Sequence, residues 1–223
     1  MQTAAPYDAS MASALDLTAF DGQALERTPF DHLVLPRFIR PEALAEIDRD
    51  FPAISKGGSF PAGSLPCGPA FQRLLDELQG PDVTRAFEEK FGMDLSGRPT
   101  MVTLRGYSRE KDGRIHTDSH TKLITALIYL NGDWESDGGR LRLLKSANDI
   151  EDYVAEVPPD AGTLITFRCS DNAYHGHKPF IGTRRSIQLN WLTDEATLKR
   201  ELGRHGVSAF FKQITKPFQR SKR

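Results

Sequence analysis

The second half of the chain is a series of short strand-like segments separated by turn residues, and this pattern constrains the fold more than any other feature. The segments lie at 101–105, 123–131, 138–143, 158–167 and 184–191. Glycine, proline, asparagine and aspartate are frequent between and at the ends of them. Short strands at regular intervals are typical of a sandwich or barrel. We therefore predict a mainly β fold, with a jelly roll of two antiparallel sheets as its core.

The first half of the chain has helical periodicity instead. Phe71, Leu74, Leu75 and Leu78 recur at helical spacing, a second amphipathic segment ends at Gly92, and Pro41 opens a helix that reaches about Phe51. We expect these helices to pack on the outer face of one sheet. The prediction is one domain with four parts: a flexible N-terminal arm (1–25), a strand and helices that pack on the core (26–97), the jelly-roll catalytic core (98–195), and a C-terminal helix with a basic tail (196–223).

Composition excludes several classes of protein. The chain has 223 residues, enough for one substantial core, and a formal net charge of −1, which gives no general case for nucleic-acid binding. It contains no apolar run long enough to span a membrane and no recognisable secretory signal. Its two cysteines, Cys67 and Cys169, form neither a disulfide framework nor a metal motif. We therefore expect a cytoplasmic protein with free thiols.

Two histidines and one aspartate are the candidate metal ligands. His116 and Asp118 are two residues apart, so in an extended segment both point to the same side, and His175 follows from a distant strand. Such a set occupies one face of an octahedral ion and leaves the other positions open, as in non-haem Fe(II) oxygenases. His120 has the same alternation, but a fourth ligand would consume an open position, so we assign it to the rim or surface. His177 is the alternative distal ligand.

These residues, with the strands in their order over roughly residues 98 to 193, resemble the Fe(II)- and 2-oxoglutarate-dependent dioxygenases of the prolyl-4-hydroxylase-like branch. The resemblance implies a cupin-like double-stranded β-helix that binds Fe(II), 2-oxoglutarate and O2, with ascorbate as a further candidate. It also implies hydroxylation of an unactivated C–H bond of a small-molecule or peptidyl substrate, with succinate and CO2 as co-products. Asp118 disfavours the halogenating variants, in which a small residue replaces the carboxylate.

The resemblance further implies residues for the co-substrate. Arg184, nine residues after His175, and Ser186 form an Arg-x-Ser pair on one strand face, suited to the distal carboxylate of 2-oxoglutarate because a guanidinium pairs with a carboxylate through two hydrogen bonds. The nine-residue spacing favours His175 over His177 as the distal ligand. Tyr129 and Tyr107 match positions where relatives place inward tyrosines. Arg185 should point away, as a surface charge.

Two segments leave alternatives open. The Gly-, Ser- and Pro-rich stretch at 55–69 is predicted to be a loop, either a mobile lid or a plain connection. After Glu201 the chain has no acidic residues, and cations alternate with aromatic residues. This basic C-terminal tail is either a solvated end or a docking element for an acidic partner or an anionic membrane surface. The alternative to an enzyme is a non-catalytic metal-binding jelly-roll sensor or an interaction protein that acts through this tail.

Overall fold

The computed structural model describes residues 13–203, which form a six-stranded and a three-stranded sheet, both antiparallel. The strands are β1 (His32–Leu35), β2 (Phe60–Pro61), β3 (Thr100–Ser108), β4 (Lys122–Tyr129), β5 (Leu141–Leu144), β6 (Tyr153–Val157), β7 (Leu164–Arg168), β8 (His175–Gly176) and β9 (Gly182–Leu192). The large sheet has the strand order β1-β7-β4-β9-β3-β2, and the small sheet has the order β6-β5-β8. The predicted jelly-roll core is confirmed.

Four helices precede β3: α1 (Leu17–Gly22), α2 (Pro41–Asp50), α3 (Pro69–Leu78) and α4 (Pro81–Phe91). The last three each begin with proline, whose fixed φ suits the first helical position and whose missing N–H would have no partner there. Helix α4 ends at Gly92 in the left-handed conformation, φ 58°. The helical periodicity in the sequence therefore identified α3 and α4, and Pro41 identified α2.

The outer face of the large sheet is covered by these helices. Leu74 of α3 and Phe87 of α4 belong to the same buried cluster as the outward side chains of β4 and β9, namely Ile124, Ala126, Ile128, Ile187, Leu189 and Trp191. Phe87 and Trp191 are in contact, with ring centroids 4.7 Å apart. This apolar layer is the main core, and it leaves the inner face of the sheet free to carry polar groups.

A second, smaller core joins the two sheets. Tyr129 and Phe167 of the large sheet pack with Leu141 and Leu143 of β5 and Val157 of β6. The small sheet thus closes one part of the inner face of the large sheet. The other part remains open as a cavity.

Three features of the N-terminal half differ from the sequence prediction. Residues 13–25 are not a loose arm, because Leu15 and Phe20 are buried and Asp16 caps α1. The N-terminal strand β1 is itself an edge strand of the large sheet, with Leu33 and Leu35 in the main core, and β2 forms the other edge. The stretch at 55–69 is more than a loop, since it contains β2, which pairs with Thr103 and Leu104, and a short 3-10 helix, Ala62–Ser64.

Little of the C-terminal segment falls within the described residues. Residues 195–203 are helical, and the basic tail beyond them lies outside the described range, as do residues 1–12 of the predicted arm. Within residues 13–203, every helix is too short or too polar to cross a bilayer.

Candidate metal centre

The fold brings His116, Asp118 and His175 together. One ligand atom from each of the three lies within 4.8 Å of those of the other two. A reciprocal backbone pair sets this arrangement: His116 N–H donates to the His175 carbonyl at 3.0 Å, and His175 N–H donates to the His116 carbonyl at 2.9 Å. These two hydrogen bonds hold His116, in the segment before β4, directly beside His175 of β8.

The two imidazole rings are oriented by the backbone. His116 Nδ1 lies 2.8 Å from the Arg114 carbonyl, and His175 Nδ1 lies 2.9 Å from the Ala173 carbonyl. Because a carbonyl can only accept, each Nδ1 carries the proton and each Nε2 keeps a free lone pair. A hydrogen bond on the far nitrogen is the usual support of a metal-bound histidine. The ring centroids are 4.3 Å apart.

A hydrogen-bonded chain holds the Asp118 carboxylate. Lys122 Nζ donates to Asp118 Oδ1 at 2.9 Å, and the Thr125 hydroxyl donates to Oδ2. Asn190, fully buried, donates in turn to the Thr125 hydroxyl at 2.7 Å. Burial opposes ionisation of Asp118, but the charge of Lys122 and these hydrogen bonds outweigh it and lower its pKa to about 2. The carboxylate is therefore ionised at neutral pH.

The environment of His175 keeps its imidazole neutral. Burial, with a further contribution from His116, lowers the pKa of His175 to about 4, although the charge of Asp118 acts in the opposite direction. A neutral imidazole is the form that binds a metal ion. Two neutral imidazoles and one carboxylate on a single side fit a divalent ion with open positions, so the donor set is suited to Fe(II).

The two rival histidines lie outside this cluster. His177 lines the same cavity but does not belong to the group whose ligand atoms lie within 4.8 Å of one another, and Gly113 packs against its ring so closely that a Cβ there would lie 2.4 Å away. His120 has 84% of its side chain exposed and pairs with Asp171 at the surface. The geometry therefore supports His175 as the distal ligand.

Arg184 and Ser186 lie on the inner face of β9, as the alternation predicted. Arg184 is 7% exposed and Ser186 2% exposed, and both line the cavity that contains the three candidate ligands. Arg184 Nε donates to the Gly139 carbonyl at 2.8 Å, and its Nη2 donates to the Tyr129 hydroxyl at 3.3 Å. Tyr129 is fully buried behind Arg184 and does not itself line the cavity, so it orients the guanidinium.

Arg185 points to the opposite face, although it is not a free surface charge. Its guanidinium pairs with Asp48 of α2 and lies 5.3 Å from the centroid of the Phe51 ring. It therefore links β9 to α2.

Tyr107 is not in the cavity. The pairing of β3 with β9 shifts register between Arg105 and Tyr107, so that Arg105 is opposite Ser186 while Tyr107 is opposite Thr183. A bulge of this kind changes the direction of the side chains that follow it. Arg105, two residues earlier, lines the cavity instead.

Several cavity residues were not identified from the sequence. The cavity measures about 200 Å³, and its lining also includes Ser59, Met101, Thr103, Arg105, Lys122, Thr125, Gln188 and Asn190. The sequence pattern could have identified Gln188 and Asn190, because they continue the alternation that places Arg184 and Ser186 on the inner face of β9. Ser59 comes from the 55–69 segment, which places that segment at the cavity wall.

A comparison with known protein families gives a match in the second half of the chain. A family model described as the 2OG-Fe(II) oxygenase superfamily matches residues 102–193, which contain the three candidate ligands and Arg184. No curated protein sequence gave a significant match.

Solved structures share the fold. A prolyl-4-hydroxylase from Pseudomonas putida superposes with a TM-score of 0.54 at 19% identity, covering 80% of this chain and 100% of that one. A 2OG-Fe(II) oxygenase family oxidoreductase from Burkholderia pseudomallei gives 0.52 at 17% identity, with 82% and 92% covered. A structure reported for prolyl 4-hydroxylases from Phytophthora capsici gives 0.51 at 16% identity, with 82% and 67% covered. At these identities the similarity establishes a common fold.

Proposed function

We propose that this chain, whose residues 102–193 match the family model of the 2OG-Fe(II) oxygenase superfamily, hydroxylates an unactivated C–H bond and forms succinate and CO2 as co-products. The observation that carries the proposal is one cavity that holds an open-sided set of metal ligands and a buried arginine with a serine beside it. A structural metal site would fill its coordination shell with protein ligands, whereas three ligands leave positions for reactants. A sensor would not require this open geometry.

In this proposal His116, Asp118 and His175 bind Fe(II), the two histidines through Nε2. When bound, Fe(II) with 2-oxoglutarate and O2 supplies the oxidising chemistry that the side chains of the chain cannot supply. Lys122 and Thr125 hold the carboxylate of Asp118 in place, and the Arg114 and Ala173 carbonyls hold the imidazole rings. These contacts fix the ligands before the metal arrives, which lowers the entropic cost of binding.

Arg184 and Ser186 bind the distal carboxylate of 2-oxoglutarate. Arg184 uses its Nε and one Nη2 hydrogen on the Gly139 carbonyl and the Tyr129 hydroxyl, so its other N–H groups are available. Because Arg184 is buried, with 7% of the residue exposed, a carboxylate that pairs with its guanidinium does so away from bulk water, where the interaction is strong. The Tyr129 contact serves to keep the guanidinium in that orientation.

The substrate class remains a small molecule or a peptidyl group, and the candidates are a prolyl residue, a free amino acid, a glycan or another metabolite. Two structural relatives are prolyl hydroxylases by description, which supports a prolyl ring as one candidate. The free thiols of Cys67 and Cys169 support a reducing compartment such as the cytosol.

The test is succinate formation by the full chain loaded with Fe(II), measured against pools of candidate substrates under air. We expect a pool that contains the substrate to raise succinate formation and one of its components to gain the mass of one oxygen atom. Asp118→Ala should show neither change, while Arg185→Gln serves as the control for an arginine lost outside the cavity. Consumption of 2-oxoglutarate that is equal in the wild type and Asp118→Ala would contradict the proposal.

A further inference from the structure

The cavity contains a second arginine for which the proposed reaction has no role. Arg105 is half-buried on the inner face of β3, directly opposite Ser186 on β9, and it lines the cavity together with Arg184. Residues directly opposite on neighbouring strands have Cβ atoms about 5 Å apart. Arg105 and Arg184 therefore flank Ser186 on the same face of the sheet.

Within residues 13–203, no side chain or carbonyl is hydrogen-bonded to the Arg105 guanidinium. The two carboxylates whose charges act on it already have partners: Asp112 accepts hydrogen bonds from Arg109 at 2.9 Å, and Asp118 accepts them from Lys122 and Thr125. Burial lowers the pKa of Arg105, and the charge of Asp112 offsets this only in part. The group nevertheless stays charged at neutral pH.

A buried or half-buried charge without a partner is costly, so a ligand is the expected partner. Among the described residues that line the cavity, Arg105, Arg184 and Lys122 are cations and Asp118 is the one carboxylate. The two positive charges of Fe(II) and the two negative charges of the 2-oxoglutarate carboxylates would sum to zero. The loaded cavity would thus keep an excess of positive charge.

We propose that Arg105 binds an anionic group, a carboxylate or a phosphate, of the substrate itself. The inference rests on the proposed function and narrows its substrate to acidic molecules, favouring a free amino acid or an acidic metabolite over a neutral one. Arg105 would then be a substrate-binding residue that selects for charge. It would hold the anionic end of the substrate beside Ser186, in the same cavity as the metal ligands.

The alternative is that both arginines bind the distal carboxylate of 2-oxoglutarate. A carboxylate accepts about four hydrogen bonds. The free N–H groups of Arg184 and the hydroxyl of Ser186 can supply most of these. Arg105 is therefore available for a second anion. If Arg105 binds the substrate, its loss should leave 2-oxoglutarate binding intact, whereas if it binds 2-oxoglutarate, its loss should weaken that binding.

The first experiment measures 2-oxoglutarate binding to the full chain with Mn(II) as an inert metal, by isothermal titration calorimetry. We expect Arg184→Gln to weaken binding about 100-fold, because it removes a charge-assisted pair. Arg105→Gln should stay within about threefold of the wild type, and Arg185→Gln should be unchanged. Melting curves of all variants report whether they are folded.

The second experiment adds sulfate, as a probe for an oxyanion, to the complex with Mn(II) and saturating 2-oxoglutarate. We expect saturable binding by the wild type and by Arg185→Gln, at least tenfold weaker binding by Arg105→Gln, and recovery in Arg105→Lys. A parallel titration with acetate tests the carboxylate preference.

The inference is overturned if the wild-type complex does not bind sulfate, if Arg105→Gln binds it equally well, or if Arg105→Gln weakens 2-oxoglutarate binding as strongly as Arg184→Gln does. Failure of the wild type to bind Mn(II) and 2-oxoglutarate at all would be a different result. It would contradict the proposed function, and this inference with it.

Discussion

The two faces of the large sheet are made by the same strands and have opposite chemistry. On β9 the outward side chains Ile187, Leu189 and Trp191 are fully buried under the helices, while the inward Ser186 and Asn190 are polar and line the cavity. Strand β4 repeats the division, with Ile124 outward and Thr125 inward. Because successive side chains of a strand alternate, one segment can serve both faces.

Residues that stabilise the fold and residues that line the cavity therefore alternate along the same strand. Arg184 and Arg185 are neighbours in the sequence, yet one lies in the cavity and the other pairs with Asp48 of α2. Substitutions on the inner face should therefore impair binding with small effects on folding, and substitutions on the outer face should do the reverse.

The largest effect is expected for the metal ligands. Substituting His116, Asp118 or His175 with alanine should each abolish turnover, at least about 1,000-fold, and weaken Fe(II) binding, because an open site with two ligands no longer holds the ion. Binding of Fe(II) or Mn(II) by calorimetry and succinate formation are the measurements. His177→Ala and His120→Ala should retain metal binding, and loss of metal by His177→Ala with retention by His175→Ala would reverse the assignment.

The next largest effect is expected for the KM for 2-oxoglutarate, in which the two adjacent arginines should differ. Arg184→Gln should raise the KM for 2-oxoglutarate about 100-fold while metal binding persists, because it loses a buried pair to a carboxylate. Arg185→Gln should change this KM less than twofold, although it loses its contact with Asp48. Equal effects from the two substitutions would refute the separation of the two faces.

A stability effect without loss of site chemistry is expected on the outer face. Leu189→Ala should lower the free energy of unfolding by about 2–5 kcal/mol, since it leaves a cavity in the apolar layer under the helices. Gln188→Ala, one residue away on the inner face, should cost less than about 1 kcal/mol. Urea unfolding measures both, and a larger loss for Gln188→Ala would contradict the comparison.

The smallest effect is expected for the dependence of stability on acid pH. The pKa of both His175 and His177 is lowered from 6.5 to about 4, mainly by burial, with Arg184 contributing to the shift of His177. Between pH 6.5 and about pH 4 these two histidines bind protons in the unfolded chain but not in the folded one. The free energy of unfolding of the metal-free protein should therefore fall as the pH drops through this range. His177→Gln should show a smaller fall in the urea midpoint between pH 7 and pH 5. An equal fall would show that His177 does not contribute.

The core strands and the candidate metal ligands were predictable because each follows a short-range rule. Alternation marked β4 and β9, helical spacing marked α3 and α4, and the two-residue spacing of His116 and Asp118 is local. The backbone pairing that brings His175 to His116 is long-range and was not predicted; the choice of His175 as the distal ligand rested on its spacing to Arg184, which resembles that of a known family.

Other features depend on contacts that no local pattern encodes. The loss of Tyr107 from the cavity results from a register shift between β3 and β9, which comes after Arg105. The burial of Phe20 depends on its contacts with Phe38 and Phe87, which are distant in the sequence. Strand β2 is two residues long and pairs with β3, which is distant in the sequence. These are tertiary effects, and they decided where the arm and the 55–69 segment lie.

The central claim is that one cavity binds Fe(II) and 2-oxoglutarate together, and anaerobic absorption spectroscopy tests it most directly. Without O2, adding 2-oxoglutarate to the Fe(II)-loaded full chain should produce a visible metal-to-ligand charge-transfer band that saturates at one equivalent. The band should be absent in His175→Ala, require far more 2-oxoglutarate in Arg184→Gln, and be unchanged in Arg185→Gln. A chain that binds Fe(II) but develops no such band with 2-oxoglutarate would contradict the account.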